Sequence, residues 1–351
     1  MKNCKNLGDE DNSSIYSSKY LKCTLEGPRN VGGYGYIGSR TLSETADRKN
    51  TIKPMTVENI LKLIDIKINE LTSDYINFDL IGVDAAVANA LRRILLVEVP
   101  TVAIETVQIY QNSGVIQDEV LAHRLGLIPF NIDLDLIDFR AEDQDLNEKN
   151  SVCFKLCVEC NKYDIDDKNG ITSKAIYSKD LIWVPMSESQ KQIFEKKPPS
   201  VVYPDILITK LRPGQVIEAI LYCEKGIGKT HAKWSPVSTA TYRLLPEFKF
   251  PEGYITGKDA KEFVEVCPMN VFDIEDITGK VYVKNPRNCT TCRACIEKFP
   301  KKVEIFKNKH HFIFSIESTG SISPIQLVKT AINILREKSH KINNSIDIFY
   351  E

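Results

Sequence analysis

Four cysteines hold the most suggestive spacing in this chain. Cys289, Cys292 and Cys295 sit three residues apart, and the run that carries them ends in Phe299-Pro300. The ferredoxin pattern for two iron–sulfur cubes is C-x₂-C-x₂-C-x₃-C-P, and its last cysteine ligates the other cube. Anchored at Cys289, the pattern places Phe299 where the fourth cysteine would stand. Read backwards from Cys267-Pro268, it falls on Gly257, Ala260 and Phe263. One crossed set is therefore gone entirely. The other, Cys267, Cys289, Cys292 and Cys295, is complete. Thiolates are soft, anionic ligands, so this set suits a [4Fe–4S] cluster. Tetrahedral zinc at the same cysteines is the alternative, and unligated thiols are a third reading. Consecutive x₂ spacings favour the cube. The expected role is structural: a cluster stapling an insert too small to build its own core. Electron transfer or redox sensing is the competing role for such a cluster.

Other residues imitate chemistry less well. GIGKT, residues 226–230, resembles the end of a phosphate-binding loop, but the first glycine of G-x-x-x-x-G-K-[ST] would fall at Cys223. Cys153, Cys157 and Cys160 lie in a strand-like run, which sends Cys157 and Cys160 to opposite faces as packed thiols. His123 lies among apolar residues and reads as a hydrogen-bonded structural histidine, and His310-His311 as a pair on a strand edge. No Ser-His-Asp logic, H-E-x-x-H motif or acidic magnesium cluster is evident, so no catalytic residues are expected.

Composition narrows the class. The chain has 351 residues, of which 42% are hydrophobic and 26% charged, which is enough apolar content for one or two cores. A net charge of −1 argues against bulk electrostatic binding of nucleic acid, and no sequence-specific DNA contact is expected. The absence of a long apolar run argues against a membrane partner.

The elements that must position these residues follow from periodicity. Residues 1–55 are polar and Gly-rich and read as a disordered tail. LKLIDIKINELTSDYINFDL alternates about a polar break at Thr72-Ser73-Asp74 and predicts two antiparallel strands. Asp84 can cap a helix whose apolar face is Val87, Leu91, Ile94 and Leu95. Residues 131–150 read as an acidic loop and 151–225 as strands. VFDIEDITGKVYVKNP reads as a hairpin turning at Thr278-Gly279. Ser323 and Pro324 open a long final helix with an apolar face of Ile325, Val328, Ala331, Ile332 and Leu335. The order implies an α+β fold with antiparallel sheet and two helices on one face.

Several of these stretches together carry a resemblance. GVDAAVANALRRILLVEVPTVAIE, VIQDEVLAHRLGLIPF, LRPGQVIEAILYCEKGIGKTHAKWSPVSTATYRLLP and FIFSIESTG resemble the α-like subunits of cellular RNA polymerases, from about Leu61 onward. VSTATYRLLP and NSGVIQDEVLAHR make the chain most similar to the larger α-like subunit shared by polymerases I and III. The polymerase II counterpart carries a cysteine-rich zinc loop around 130–150, where this chain has no cysteine. Archaeal relatives can carry a ferredoxin-like insert where the four cysteines stand.

The resemblance implies a non-catalytic assembly subunit in the nucleus (nucleolus and nucleoplasm). It would heterodimerise with a smaller α-like subunit through the two apolar helix faces named above. On that pair the second-largest and other polymerase subunits would assemble, with Arg92 and Arg93 facing a large catalytic subunit. It also implies a discontinuous α-like dimerisation domain (56–130, 231–251 and 309–351). A β-rich insert at 131–230 and a ferredoxin-like [4Fe–4S] insert at 252–308 would interrupt it.

Overall fold

A computed structural model describes residues 62–350, apart from 142 and 162–172, together with two short N-terminal strands. The expected tail, 1–55, lies outside the described residues except for those strands, β1 (Lys22–Thr24) and β2 (Gly27–Arg29), which form a hairpin. Next come β3 (Asp65–Leu71), β4 (Tyr75–Ile81), α1 (Ala85–Val97), β5 (Pro100–Asn112), α2 (Asp118–Gly126), β6 (Phe130–Asn131) and β7 (Ser151–Glu159). Then follow β8 (Lys174–Tyr177), β9 (Ile182–Val184), α3 (Glu188–Ile193), β10 (Ser200–Val201), β11 (Leu207–Leu211), β12 (Val216–Ile227) and β13 (Val237–Lys249). The remainder is α4 (Lys258–Val266), β14 (Phe272–Ile274), β15 (Val281–Val283), α5 (Ala294–Lys298), β16 (Glu304–Ser318) and α6 (Pro324–Tyr350). No helix among the described residues is long and apolar enough to cross a membrane.

The chain divides into two compact units. One holds Ile52–Leu245 and Lys309–Glu351, the other Pro246–Asn308 and Met1–Thr51. In the larger unit an antiparallel sheet runs β13-β16-β4-β3. Its alternation is that of a half-buried surface. Ile76, Phe78 and Leu80 of β4 stand opposite Ile316, Phe314 and Phe312 of β16, and all six are buried. The rings of Phe78 and Phe314 stack at 5.1 Å. Two helices cover this face, α1 through Ala88, Leu91 and Leu95, and α6 through Leu327 and Ala331. Asp84 caps α1, its carboxylate accepting from the Ala86 amide at 3.5 Å. The fold is thus α+β, with the two anticipated helices on one sheet face.

A second sheet, β5-β12-β7-β9, backs its own core of Phe130, Phe154, Leu156 and Leu221. Helix α2 closes it through Leu121 and Leu125, an i, i+4 pair whose spacing was available in the sequence. Its Arg124 donates to the carbonyls of Leu207 at 2.7 Å and Ile208 at 3.0 Å. His123, expected to be a hydrogen-bonded structural histidine, is exposed on this short helix. His310 and His311 lie on β16, an interior strand rather than an edge, and His311 Nε2 is 3.0 Å from an Asp79 carboxylate oxygen.

GIGKT serves packing rather than phosphate. A Cβ at Gly226 would lie 2.4 Å from the Trp234 ring, and one at Gly228 would lie 2.4 Å from the Leu96 carbonyl. The glycines admit an indole whose Nε1 donates to the Glu224 carbonyl at 3.1 Å, while Thr101 Oγ1 donates to the Trp234 carbonyl at 2.7 Å. Gly226→Ala is therefore expected to destabilise the unit by about 1–3 kcal/mol, the usual cost of overpacking. Chemical denaturation measures this. Saturable ATP or GTP binding, lost in the same variant, would show that the loop holds phosphate instead.

Candidate functional site

Each sequence-predicted ligand of the cluster has an identifiable position in the smaller unit. Cys267 follows the last turn of α4, Cys289 follows a short turn at Pro286–Asn288, and Cys295 lies in α5. Cys295 is buried, Cys267 and Cys289 are half-buried, and Cys292 is exposed. All four border one narrow apolar cavity of ≈10 Å³, walled also by Phe248, Val271 and Phe272. That is room for about one water molecule. Burial pushes the Cys295 thiol up to about 11, with the neighbouring Cys289 thiol adding to the effect.

These observations correct the sequence reading. Among the described residues, no group of three or more His, Cys, Asp or Glu side chains is gathered so as to hold a metal ion. Cys267, Cys289, Cys292 and Cys295 therefore form neither the [4Fe–4S] site nor the zinc site expected of them. The electron-transfer and redox-sensing roles fall with it. The physical reason lies in the set of positions that lost its cysteines. Ala260, Phe263 and Phe299 are buried in a hydrocarbon core. Phe263 packs 4.7 Å from Phe272 and 5.4 Å from Phe299, ring centre to ring centre. The insert has built the core it was judged too small to build, so it needs no metal staple.

The helix faces divide into buried and exposed parts. Leu91, Ile94 and Leu95 of α1 and Ala331 of α6 are buried in the chain's own core. Val328 and Leu335 are half-buried against it. Val87, by contrast, is 45% exposed, Ile325 40% and Ile332 47%. Successive helical residues are about 100° apart. The inward stripe of α6 is Leu327, Ala331 and Ile334, and Ile325 and Ile332 point to a neighbouring face. Periodicity alone merged the two. Lys338 pairs with Glu98, tying α6 to the end of α1. Arg92 is half-buried and donates through Nε and Nη2 to Asn89 Oδ1 at 3.1 and 2.8 Å, while Arg93 is exposed.

One apolar surface was missed. Ile66, Ile68 and Leu71 of the edge strand β3 stand opposite Leu80, Phe78 and Ile76, so they lie on the core face of the sheet. Yet all three are exposed, because α1 and α6 cover the inner strands and stop short of the edge. The alternation of this strand was legible, and its lack of cover was not.

Uncovered apolar side chains beside a finished core mark an association surface. The comparisons with known proteins agree with that geometry. The family model described as the RNA polymerase Rpb3/Rpb11 dimerisation domain matches residues 77–339. DNA-directed RNA polymerases I and III subunit rpac1 of Dictyostelium discoideum is 41% identical over 336 residues, 94% of each chain. The I and III subunit RPAC1 of Saccharomyces cerevisiae is 37% identical over 308 residues, 84% of this chain and 91% of the relative. DNA-directed RNA polymerases II, IV and V subunit 3 of Arabidopsis thaliana is 36% identical over 293 residues, 80% of this chain and 91% of the relative. The chain belongs to the family of α-like RNA polymerase subunits built on the Rpb3/Rpb11 dimerisation domain.

Proposed function

We propose that this protein is the non-catalytic assembly subunit common to nuclear DNA-directed RNA polymerases I and III, working in the nucleolus and nucleoplasm. It pairs with a smaller α-like subunit to make the platform on which the second-largest and other subunits gather. The observation that carries this reading is the uncovered apolar surface of Val87, Ile325 and Ile332, with Ile66 and Ile68 on the edge strand, inside the matched dimerisation region. The buried members of the predicted faces, Leu91, Ile94, Leu95 and Ala331, act from behind by holding the two helices in place, and Val328 and Leu335 bridge the two roles. Arg92 and Arg93 are assigned to a large-subunit contact. Arg93 is the better placed, since Arg92 already spends its fork on Asn89. The α-like domain is assigned to 56–130, 231–251 and 309–351, with a β-rich insert at 131–230 and a metal-free insert at 252–308.

The higher identity to the I and III relative, over a larger share of the chain, supports those two polymerases over the II, IV and V relative. Affinity purification of the tagged full chain from native extract tests the reading. The smaller α-like subunit and the large subunits of both polymerases should co-purify. A monomer that meets none of them would refute it.

A further inference from the structure

The acidic stretch between β6 and β7 makes a surface with two kinds of chemistry. Residues 132–150 carry seven acidic side chains and two basic ones. Asp133, Asp135, Asp138, Asp143 and Asp145 are all exposed. Among them stand two exposed apolar side chains, Leu136 at 42% and Phe139 at 54%. Three residue steps separate the two, so their backbones lie within about 10 Å of each other.

The stretch is tied down along its length. Lys225 of β12 donates to the carbonyls of Leu134 at 2.8 Å and Ile137 at 3.0 Å, and its ammonium lies 5.0 Å from the centre of the Phe139 ring. The Asn150 amide donates to Asn147 Oδ1 at 3.0 Å, and the Asn147 amide donates to Asn150 Oδ1 at 2.8 Å. From α3, Gln190 Nε2 donates to the carbonyls of Glu148 at 2.9 Å and Ser151 at 2.8 Å. A surface fixed in this way loses little further freedom when a partner lands on it.

The nearby cations do not answer the exposed carboxylates. Lys225 is engaged by the two carbonyls. Arg140 donates through Nε to Glu224 Oε2 at 2.7 Å and through Nη1 to the Gln144 carbonyl at 3.2 Å. Even that ion pair is incomplete. The Glu224 side chain is 7% exposed, and its Oε1 is buried with no hydrogen-bond partner among the described residues. A buried carboxylate held at one oxygen only leaves negative charge uncompensated, and this one faces the loop through Arg140. The loop therefore presents apolar side chains in a field that favours cations.

That combination selects the occupant. Carboxylates repel phosphate, which argues against nucleic acid and anionic lipid, and a second copy meeting loop to loop would bring the same charges. We propose that this loop docks a basic segment of a partner protein, in which one or two aliphatic or aromatic side chains lie between lysines and arginines. The apolar side chains cover Leu136 and Phe139, and the cations pair with Asp133, Asp135 and Asp138 around them. The surface belongs to the β-rich insert, and its occupation does not require the helix faces assigned to the smaller α-like subunit.

The test titrates the purified full chain against a fluorescein-labelled synthetic peptide of lysines and arginines around two leucines, read by anisotropy. A control peptide carries serine for both leucines, and a second carries glutamate for every cation. The leucine peptide should bind about fivefold or more tighter than the serine peptide, and the glutamate peptide should not bind. Leu136→Ser with Phe139→Ser should abolish the preference for leucine. Asp135→Asn with Asp138→Asn should weaken binding about 10-fold and flatten its dependence on salt. All four side chains are exposed, so thermal unfolding of these variants should match that of the unaltered chain. Equal binding of the leucine and serine peptides, or unchanged binding by both variants, would overturn the proposal. Phe139→p-benzoylphenylalanine, irradiated in native extract, gives an independent reading. The crosslinked segment should be basic with an apolar residue at the adduct, and an adduct to nucleic acid or to an acidic segment would overturn the assignment.

Discussion

Val87→Asp combined with Ile332→Asp is expected to release the chain from its smaller α-like partner while leaving it folded. Both side chains are about half exposed, so a carboxylate at either place stays hydrated in the free chain. Substitutions of that kind usually change stability by less than about 0.5 kcal/mol. In the dimer the same carboxylates would be stripped of water against an apolar partner, which costs several kcal/mol unless a cation answers them. The expected loss of affinity is about 100-fold or more, since hot-spot residues at an interface centre cost about 2 kcal/mol or more each. Co-purification of the smaller subunit should fail, and the large subunits should be lost with it. Thermal unfolding of the free chain should not move. Ala331→Asp is the informative contrast, because Ala331 is fully buried under α1 and its substitution should unfold the chain itself. An intact complex in the double variant would show that these helix faces do not carry the contact.

The second large effect is expected in the smaller unit. Phe263→Ala removes a fully buried ring that touches Phe272 at 4.7 Å, Phe299 at 5.4 Å and Phe250 at 6.4 Å. Truncating a buried phenylalanine costs about 3–5 kcal/mol through lost transfer energy and the cavity left behind. A unit this small has little more than that to lose, so the insert should open and become sensitive to protease. Cys292→Ser supplies the opposite expectation. Cys292 is exposed, and its replacement should cost less than about 1 kcal/mol. Purified under anaerobic conditions, the protein should carry neither iron nor zinc in stoichiometric amount, and a chelator should leave its unfolding unchanged. If Cys292→Ser unfolds the insert as thoroughly as Phe263→Ala does, the unit is held by a metal, and the account of its aromatic core is wrong.

The two expectations share a physical theme. In both units a surface or a cysteine set was legible from spacing, and its use depended on what lay across from it. Three cysteines at x₂ spacing can always be wrapped round a cube, because that spacing is a local property of one turn. Whether a cube is favoured depends on a fourth ligand brought from more than twenty residues away, and on the alternatives available to the chain between them. Here Ala260, Phe263 and Phe299 bury hydrocarbon at the positions where the second set would have bound iron, and the neighbouring thiols border a narrow apolar cavity.

Periodicity settled on its own what depends only on neighbours along the chain. The alternation around Thr72-Ser73-Asp74 determined β3 and β4, Asp84 and the apolar stripe determined α1, and Ser323-Pro324 determined where α6 begins. Those signals are dictated by backbone geometry within a few residues. Only the tertiary structure decided that Leu327 faces inward while Ile332 faces out, and that Gly226 makes way for Trp234. The uncovered outer edge of β3 and the ungathered cysteines were also decided there. Each of these outcomes depends on atoms far apart in sequence competing for the same space, and a pattern read along one strand or helix holds no information about what will be packed against it.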